Sequence, residues 1–447
     1  MTTSTPSQAG RILISGAGIT GPVAGYWLAQ AGYSVTIVER APSIRTSGQS
    51  IDVRGHALTI LQRMGLEGEV RSRTTQEKGL RFIDGKGTTK AEFPVDPNGA
   101  SFTADIEIQR GDLAEILYDA TREKIEYIFN ESISRISEDK QGVTLEFTNG
   151  LHSRTVDLLV IADGISSRTR EIAFPDQPST VKNLGQWSAW FTIPGIPAGT
   201  DDGWARWYNA PKGRMILVRP DTSHKKSRVS LWIMTTPELE SALVEAQSPN
   251  TKDDQKQQQL WNSFFTDADW SETPHILQAM LSAPDFYAQK VAQVKLPWWS
   301  TSSGSVVAVG DAAYCPSPIS GMGTTLAITG AYILAGEVAR NRPNFSAGVS
   351  AYEARMRPFV KTAQELFPGT PRLANPHTDF GIWILHLFLA FFAWTGLARV
   401  LGERYSPVAD AIELPEYAFS WGFFRGKTAT ATTTSSAQRR VGEGDGT

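Results

Sequence analysis

The chain has 447 residues, 41% of them hydrophobic and 20% charged, and its 43 basic and 46 acidic side chains give a formal net charge of −3. That balance gives no electrostatic basis for nucleic-acid binding, and the length predicts two closely packed units rather than one small core. A single cysteine, Cys315, excludes an intrachain disulfide, and the six histidines form no zinc constellation, so we expect no metal site. The polar N-terminus has no apolar signal sequence, so we expect a cytoplasmic protein.

The first elements in chain order are a strand, a glycine-rich turn, a helix and a second strand. Residues 11–15 predict the first strand, residues 22–31 the helix and residues 34–38 the second strand. In such a turn the first glycine allows the bend, the second lets the backbone approach a pyrophosphate, and the third lets the helix pack on the sheet. An acid about 20 residues further on accepts from a ribose hydroxyl. The pattern predicts a dinucleotide site at Gly16, Gly18, Gly21 and Glu39.

Two further motifs also follow apolar strands, which is where open α/β sheets bind their ligands. Asp163 and Gly164 follow the apolar residues 158–161, and Gly310 and Asp311 follow residues 306–309. A nicotinamide dehydrogenase has no need for the late Gly-Asp pair, whereas a cofactor with a long extended tail reaches a distant part of the sheet. The three motifs in this order therefore favour a flavin dinucleotide.

Between the second and third motifs the pattern changes to short strands rich in aromatic residues. Alternation and β-branched or aromatic content predict strands at residues 187–193, 204–208, 214–219 and 228–234. A hairpin over residues 79–93, turning at Asp84 and Gly85, is expected to join them. We expect a mostly antiparallel sheet over the flavin, with the pocket candidates Trp190, Arg206, Arg214 and Trp232. The alternative for each candidate is a core aromatic residue or a charge at the rim.

The C-terminal region is predicted to be helical. Residues 351–366 predict a helix interrupted near Pro358, and the segment 380–398, which runs from Phe380 to Ala398, is almost wholly apolar. This segment is compatible with a buried helix that closes the site or a dimer interface, with a helix lying in the membrane interface as a peripheral contact, and with a true span. His386 in its middle disfavours a span. Residues 422–447 are rich in Thr, Ser and Gly and predict a disordered tail.

Taken together, the motifs resemble the single-component FAD-dependent aromatic hydroxylases of the p-hydroxybenzoate hydroxylase class. The resemblance covers roughly residues 10–365. It implies an α/β fold, with a Rossmann-like FAD-binding domain, an inserted, mostly antiparallel β-sheet substrate domain and C-terminal helices. The implied FAD-binding domain comprises residues 10–78, 105–178 and 296–345, the substrate domain residues 79–104 and 179–295, and the helical region residues 346–421.

Within this class the sequence is most similar to the tetracycline-inactivating monooxygenases. Their Gly-x-x-Leu-Asp-Leu pattern resembles residues 48–53 and their Arg-x-Asp-Leu pattern resembles residues 110–113, which implies that Asp52 and Arg110 contact FAD. Arg45 falls where these enzymes have an arginine tied to NADPH, and a solvated surface charge is the alternative for both arginines. The implied FAD site consists of Gly16, Gly18, Gly21, Glu39, Arg40, Asp52, Arg110, Asp163, Gly164, Gly310, Asp311, Pro318, Gly321, Met322, Gly323 and Thr324.

Two positions depart from the pattern of the class. Its usual His after Gly-Asp-Ala-Ala is Tyr314 here, and its usual Gly-Gln-Gly near the flavin is Gly321-Met322-Gly323. The glycines still permit a close backbone approach to the flavin, while Tyr314 lacks a group that titrates near neutral pH. We therefore expect FAD binding to be retained, and the substrate stays open.

The resemblance implies a monooxygenase that uses NADPH or NADH together with O₂ and acts through a flavin C4a-hydroperoxide. The aromatic pocket favours a bulky aromatic or terpenoid small molecule, hydroxylated or epoxidised in secondary metabolism or detoxification. Because the flavin carries the reaction, no catalytic side chain is assigned. Two alternatives stay open, an FAD-dependent oxidoreductase of this fold without oxygen insertion and a non-catalytic FAD-binding protein. The oligomeric state also stays open.

Overall fold

The computed structural model describes residues 10–46, 48–95, 106–177, 180–195, 203–221, 225–247, 253–396 and 409–419. Its strands are β1 (Arg11–Ser15), β2 (Ser34–Val38), β3 (Ser50–Asp52), β4 (Gly79–Ile83), β5 (Thr89–Pro94), β6 (Glu107–Gln109), β7 (Glu126–Ile128), β8 (Ile133–Asp139), β9 (Gly142–Phe147), β10 (Arg154–Val156), β11 (Leu158–Ile161), β12 (Val181–Pro194), β13 (Ala205–Ala210), β14 (Arg214–Pro220), β15 (Lys226–Met234), β16 (Tyr287–Val294) and β17 (Val306–Ala308). Its helices are α1 (Thr20–Gln30), α2 (His56–Arg63), α3 (Glu67–Ser72), α4 (Arg110–Asp119), α5 (Arg168–Ala173), α6 (Pro237–Ala246), α7 (Asp254–Phe265), α8 (Thr273–Met280), α9 (Asp311–Tyr314), α10 (Gly323–Arg340), α11 (Phe345–Gln364) and α12 (Asp379–Thr395).

A parallel sheet carries the three predicted motifs at one edge. Its strand order is β17, β11, β1, β2 and β7. Ser15 at the end of β1 pairs with Ile161 at the end of β11, which in turn pairs with Ala308 at the end of β17. Because the strands are parallel and end in register, the chain leaves all three at the same place. The strands β11 and β17 are buried throughout, as expected when both faces of a parallel sheet are covered.

A second, mostly antiparallel sheet confirms the predicted aromatic strands. Its order is β16, β12, β15, β14, β13, β4 and β5, and the β13–β4 pair is its parallel contact. The strands predicted at 187–193, 204–208, 214–219 and 228–234 correspond to β12, β13, β14 and β15. The predicted hairpin is the antiparallel pair β4 and β5, which joins the sheet through β4.

The two faces of this antiparallel sheet have different neighbours. One face packs on α7 and α8 through a core that includes Trp187, Ile216, Leu231, Trp261 and Phe265. Since successive side chains in a strand point to opposite faces, the residues next to these along each strand point the other way. Trp190, Ser230 and Met215 lie on that other face, which borders the large cavity of the molecule.

A small sheet, β3 paired with β6, contributes to the junction between the two larger sheets. Arg219 on β14 binds the carboxylate of Glu107 on β6, and its Nη1 lies 3.7 Å from Oε2 of Glu77. Glu77 and Glu107 are both buried. The ion pairs of Arg219 with these two buried acids therefore connect the antiparallel sheet to the part of the molecule that contains the parallel sheet.

The C-terminal helices differ in two ways from the sequence prediction. Helix α11 continues through Pro358, so the predicted interruption is wrong, and this proline lies on the exposed side of the helix. Helix α12 contacts β5 and β13, and Ile382 is its buried residue. Several predicted limits lie outside the described residues. These are residues 397 and 398 at the end of the apolar segment, the domain limits at 104, 105, 178, 179 and 421, and the tail 422–447.

A search of the described helices found none with the length and apolar character needed to cross a membrane. Helix α12, the most apolar segment noted in the sequence, has 17 residues. A span needs about 20 residues at 1.5 Å rise per residue.

Candidate active site

A cavity of about 1950 Å³ lies between the ends of the parallel strands and the free face of the antiparallel sheet. All but two of the predicted cofactor residues line it. The two exceptions, Gly21 and Gly310, act through the backbone. The lining members are Gly16, Gly18, Glu39, Arg40, Arg45, Asp52, Arg110, Asp163, Gly164, Asp311, Pro318, Gly321, Met322, Gly323 and Thr324.

The glycine turn after β1 requires its glycines for steric reasons. Gly16 has φ +108°, and a Cβ there would lie 2.7 Å from the carbonyl oxygen of Ala162. A Cβ on Gly21 would collide with the carbonyl oxygen of Gly16, so α1 could not begin so close to the strand. A Cβ on Gly18 would lie 3.4 Å from Nη2 of Arg110, which places that guanidinium beside the turn. The turn therefore offers backbone N–H groups and a cation to a ligand in the cavity.

The acid after β2 is held in place by the same turn. Oε2 of Glu39 accepts from the N–H of Ala17 at 2.9 Å, and Oε1 accepts from the N–H of Ala41 at 2.9 Å. Arg40 beside it is exposed and lines the cavity. These contacts fix a carboxylate at the cavity wall, where ribose hydroxyls of a dinucleotide bind in this arrangement.

The motif after β11 is built around a half-buried carboxylate. Asp163 accepts from the hydroxyl of Ser167 and from the N–H of Thr169 at 3.4 Å. Ser167 in turn caps α5 by accepting from the N–H of Arg170 at 2.9 Å. Burial raises the pKa of Asp163, while the hydrogen bond from Ser167 lowers it. Arg168, five residues after Asp163, is exposed and lines the cavity, and the sequence analysis did not assign it to the site.

The motif after β17 brings two carboxylates near the glycines of the loop before α10. Gly310 has φ +66°, and a Cβ there would lie 2.5 Å from Oγ1 of Thr20. A Cβ on Gly323 would lie 4.0 Å from Oδ1 of Asp311, and one on Gly321 would lie 3.9 Å from Oδ2 of Asp52. Burial raises the pKa of Asp311, and the nearby charge of Arg110 lowers it.

The two departures from the class have different consequences. Met322 lines the cavity, as the residue at its position was expected to do. Tyr314 is buried away from the cavity lining, where its hydroxyl accepts from that of Tyr352 at 3.0 Å and its ring lies 4.5 Å from that of Trp299. Burial raises the pKa of Tyr314 to about 12. Tyr314 is therefore a core residue.

The opposite wall of the cavity is aromatic. The rings of Trp190 and Tyr287 stack with centroids 5.1 Å apart and 18° between their planes, and Trp232 meets Trp190 edge to face at 5.5 Å. The hydroxyl of Tyr287 donates to Oε1 of Gln49, next to the loop that carries Arg45. Two of the four pocket candidates, Trp190 and Trp232, thus lie on this wall.

The other two candidates, Arg206 and Arg214, do not line the cavity, so their prediction as pocket residues was wrong. Each is one residue out of phase with the cavity face of its strand, whose lining residues are Trp207 and Met215. Arg214 is buried and donates to the carbonyl of Phe264 and to Asp267 on the helical side of the sheet. Arg206 is also buried and donates to the carbonyl of Trp204.

The sequence analysis missed several other wall residues. Tyr287 and Gln289 come from an edge strand, β16, that was not predicted, and four residues of α12 reach the cavity although most of that helix is exposed. Strand alternation from Trp190 and Trp232 would have found the residues on β12 and β15. The missed residues include Gln186, Trp207, Met215, Leu217, Arg219, Arg228, Ser230, Tyr287, Gln289, Phe388, Leu389, Phe392 and Ala393.

Comparison with known proteins assigns the chain to a family. The model of the FAD binding domain family matches residues 10–365. The chain belongs to this FAD-binding family. It is 35% identical to Monooxygenase CTB7 of Cercospora beticola over 419 residues, which cover 92% of this chain and 98% of that protein. It is 33% identical to Flavin-dependent monooxygenase eupH of Phoma sp., over 91% of this chain and 97% of that protein.

A solved structure shows the same architecture. The tetracycline destructase Tet(51) superposes with a TM-score of 0.71 at 29% identity, covering 91% of this chain and 98% of that one. This confirms the fold class and the resemblance to the tetracycline-inactivating type. Because relatives named as monooxygenases match nearly the whole chain, this protein is an FAD-dependent monooxygenase.

Proposed function

We propose that this monooxygenase binds FAD along the three strand-end motifs and its substrate against the Trp190 wall. The observation that carries the proposal is that both sets of residues line one continuous cavity. When bound, FAD supplies the hydride acceptor for NADPH and the activation of O₂. The residues at these strand ends fit such a group. The glycine turns have no Cβ to block the approach of phosphates, and carboxylates are available for ribose and ribityl hydroxyls. Arginines with no ion-pair partner among the described residues are available for phosphate.

Individual roles follow from the contacts. Gly16, Gly18 and the start of α1 would hold the pyrophosphate, with Arg110 beside Gly18 as the neighbouring cation. Glu39 would accept from the adenosine ribose, since its carboxylate is fixed at the wall by two N–H groups. Asp311 would accept from the ribityl chain, and the backbone from Gly321 to Thr324 would approach the ring. The wall around Trp190 would exclude water from the reacting atoms.

Arg45 is the proposed NADPH contact. It is exposed at the cavity surface, and no described carboxylate forms an ion pair with it. A free guanidinium suits a 2′-phosphate, which favours NADPH over NADH. We expect Arg45→Gln to raise the KM for NADPH about tenfold and leave the KM for NADH nearly unchanged. Arg135→Gln, at an exposed arginine on β8, serves as the control that should change neither constant. Equal effects of Arg45→Gln on both cofactors would contradict the role.

The cavity volume supports a bulky substrate. Small-molecule sites occupy about 300–1,000 Å³, and the cavity here, at about 1950 Å³, leaves room beyond one cofactor. Aromatic side chains on one wall and apolar residues of α12 on another favour an aromatic or terpenoid molecule.

We also propose that α12 rests on a membrane surface. Trp383, Leu387 and Trp394 are 59%, 58% and 84% exposed. With Phe380, Ile384, Phe388 and Phe391 they recur every three or four residues, which makes one apolar face. The same helix lines the cavity, so a lipophilic substrate could enter from the bilayer. Flotation with phosphatidylcholine vesicles should recover the protein. Leu387→Ser with Trp394→Ser should abolish recovery, whereas Trp298→Ser, at an exposed tryptophan elsewhere, should not.

The function is tested with the purified protein, FAD and NADPH. We expect bound flavin, bleaching of its absorbance by NADPH without oxygen, and transfer of one atom of ¹⁸O₂ to a compound from a panel of phenols and terpenoids. A protein that cannot be reconstituted with FAD would contradict the FAD site. NADPH oxidation with oxidised product but no ¹⁸O in it would favour an oxidoreductase without oxygen insertion.

A further inference from the structure

Seven described arginines line the cavity, and six of them divide into two groups by location. The seventh, Arg54, is paired with Asp52 at 2.7 Å. Arg40, Arg45, Arg110 and Arg168 lie on the parallel-sheet side, and no described carboxylate is within ion-pair distance of any of them. Arg219 and Arg228 lie on the antiparallel sheet, and both are paired with acids. The free cations therefore face the part of the cavity proposed for the anionic cofactors.

The pairing on the substrate wall is close. Arg228 donates through Nη1 to Oγ1 of Thr192 at 2.5 Å and lies 3.3 Å from Oδ2 of Asp285. Asp285 also accepts from the N–H of Thr192 at 3.0 Å, so its carboxylate is fixed beside the guanidinium. Arg219 is matched by Glu107 and Glu77. Each described arginine of this wall therefore has an acidic partner, although the buried Nε of Arg228 has no hydrogen-bond partner among the described residues.

Apart from Glu92 on β5, which is paired with Arg81, the rest of the described wall is aromatic or neutral. Trp190 stacks on Tyr287, Trp232 stands at its edge, and the indole N–H of Trp232 already donates to Oγ of Ser230 at 2.9 Å. Flat rings bury a large area against such faces, and offset stacking adds a further attraction. A carboxylate placed here would lose its hydration without gaining a free cation.

Building on the proposed function, we infer that the substrate is an uncharged fused-ring aromatic molecule, and that the Arg228–Asp285 pair excludes aromatic carboxylates. Asp285 neutralises the charge of Arg228, which would otherwise bind the carboxylate of an acidic substrate. Specificity of this kind depends on what the wall rejects as well as on what it stacks against.

Two probes of one ring system separate charge from shape. Methyl 6-hydroxy-2-naphthoate is neutral at pH 7, whereas 6-hydroxy-2-naphthoate carries a carboxylate, since carboxyl groups titrate near pH 4. Calorimetric titration of the FAD-loaded protein measures binding without turnover. We expect the ester to bind about tenfold or more tightly than the acid. Equal or tighter binding of the acid, or binding of neither probe, would overturn the inference.

Charge variants test the role of the pair. Asp285→Asn keeps an acceptor for Thr192 but frees the charge of Arg228. It should lower the ratio of ester affinity to acid affinity several-fold, because the acid should bind more tightly. Arg228→Gln should widen the ratio, because it leaves Asp285 unbalanced. Glu240→Gln is the matched control, since it frees Lys290 from a 2.6 Å ion pair on the opposite face of the same sheet and should leave the ratio unchanged. An unchanged ratio in both Asp285→Asn and Arg228→Gln would overturn the role of the pair.

The flavin content of each sample distinguishes the two proposals. Loss of FAD binding would contradict the proposed function. Normal flavin content with the wrong ester-to-acid ratio would contradict the substrate class alone.

Discussion

The two sheets that border the cavity present their functional groups in different ways. The parallel sheet presents the turns at its strand ends, where glycines expose backbone N–H groups to the cavity and nearby arginines have no acidic partner among the described residues. The antiparallel sheet uses the side chains along one face, where aromatic rings and paired charges alternate with core residues. A strand-end site therefore tolerates few backbone changes, whereas a strand-face site depends on which way each side chain points.

The largest effect is expected at the glycine turn. Gly21→Ala places a Cβ against the carbonyl oxygen of Gly16, so α1 must move away from the strand and the phosphate site is lost. We expect no bound FAD and a loss of several kcal/mol in the free energy of unfolding. Gly68→Ala is the matched control, because that exposed helical glycine has open space around it and the change should stabilise by about 1 kcal/mol. Flavin absorbance and chemical unfolding measure both, and a Gly21→Ala protein that retains FAD would contradict the argument.

The second prediction compares the two faces of β12. Trp187 is buried against the helices, and Trp187→Leu should lower the free energy of unfolding by about 3 kcal/mol without changing ligand affinity. Trp190→Leu, three residues away on the cavity face, should weaken binding of methyl 6-hydroxy-2-naphthoate about tenfold at a smaller cost in stability. Calorimetric titration and urea unfolding give the two numbers. The same effects from both variants would contradict the division of the sheet into two faces.

The third prediction concerns the free arginines. Arg110→Gln should raise the Kd for FAD about 10- to 100-fold, because a hydrogen bond to a charged partner contributes about 1.5–3 kcal/mol. Arg122→Gln, at the far end of the same helical region, removes an exposed arginine paired with Asp119 and should leave the Kd unchanged. Fluorescence titration of the apoprotein with FAD measures both constants. A Kd for Arg110→Gln within twofold of the wild-type value would remove Arg110 from the FAD site.

The smallest effect is expected at Tyr314. Tyr314→Phe should leave FAD binding intact and destabilise the fold by about 1 kcal/mol through the lost hydrogen bond with Tyr352. The pKa of Tyr314 is about 12 in the fold against an ordinary value near 10, so the stability gained from its neutral form is present below about pH 10 and lost as the pH rises towards 12. The variant should lose less stability than the wild type over that alkaline interval. Loss of FAD from Tyr314→Phe would show that this residue belongs to the site after all.

Much of the proposed FAD site could be predicted from the sequence. Gly16, Asp163 and Asp311 mark turns at strand ends, and nearly any sheet register would preserve these turns. The residues of the substrate wall could not be predicted in the same way, because a shift of one residue along a strand moves a side chain to the other face of the sheet. Arg206 and Arg214 were chosen for their charge, yet both point away from the cavity, and Tyr287 was missed because its strand has weak alternation.

The sequence by itself determined the order of the motifs, the parallel sheet that follows from it and the residues proposed to hold the cofactor. These depend on local chemistry, the conformational freedom of glycine and the burial of apolar strands. Only the tertiary structure decided that Tyr314 is a core residue, that α12 both lines the cavity and exposes an apolar face, and that Arg228 is cancelled by Asp285. Those outcomes depend on contacts between residues far apart in the chain, such as the 57 positions that separate Arg228 from Asp285, and no local pattern encodes them.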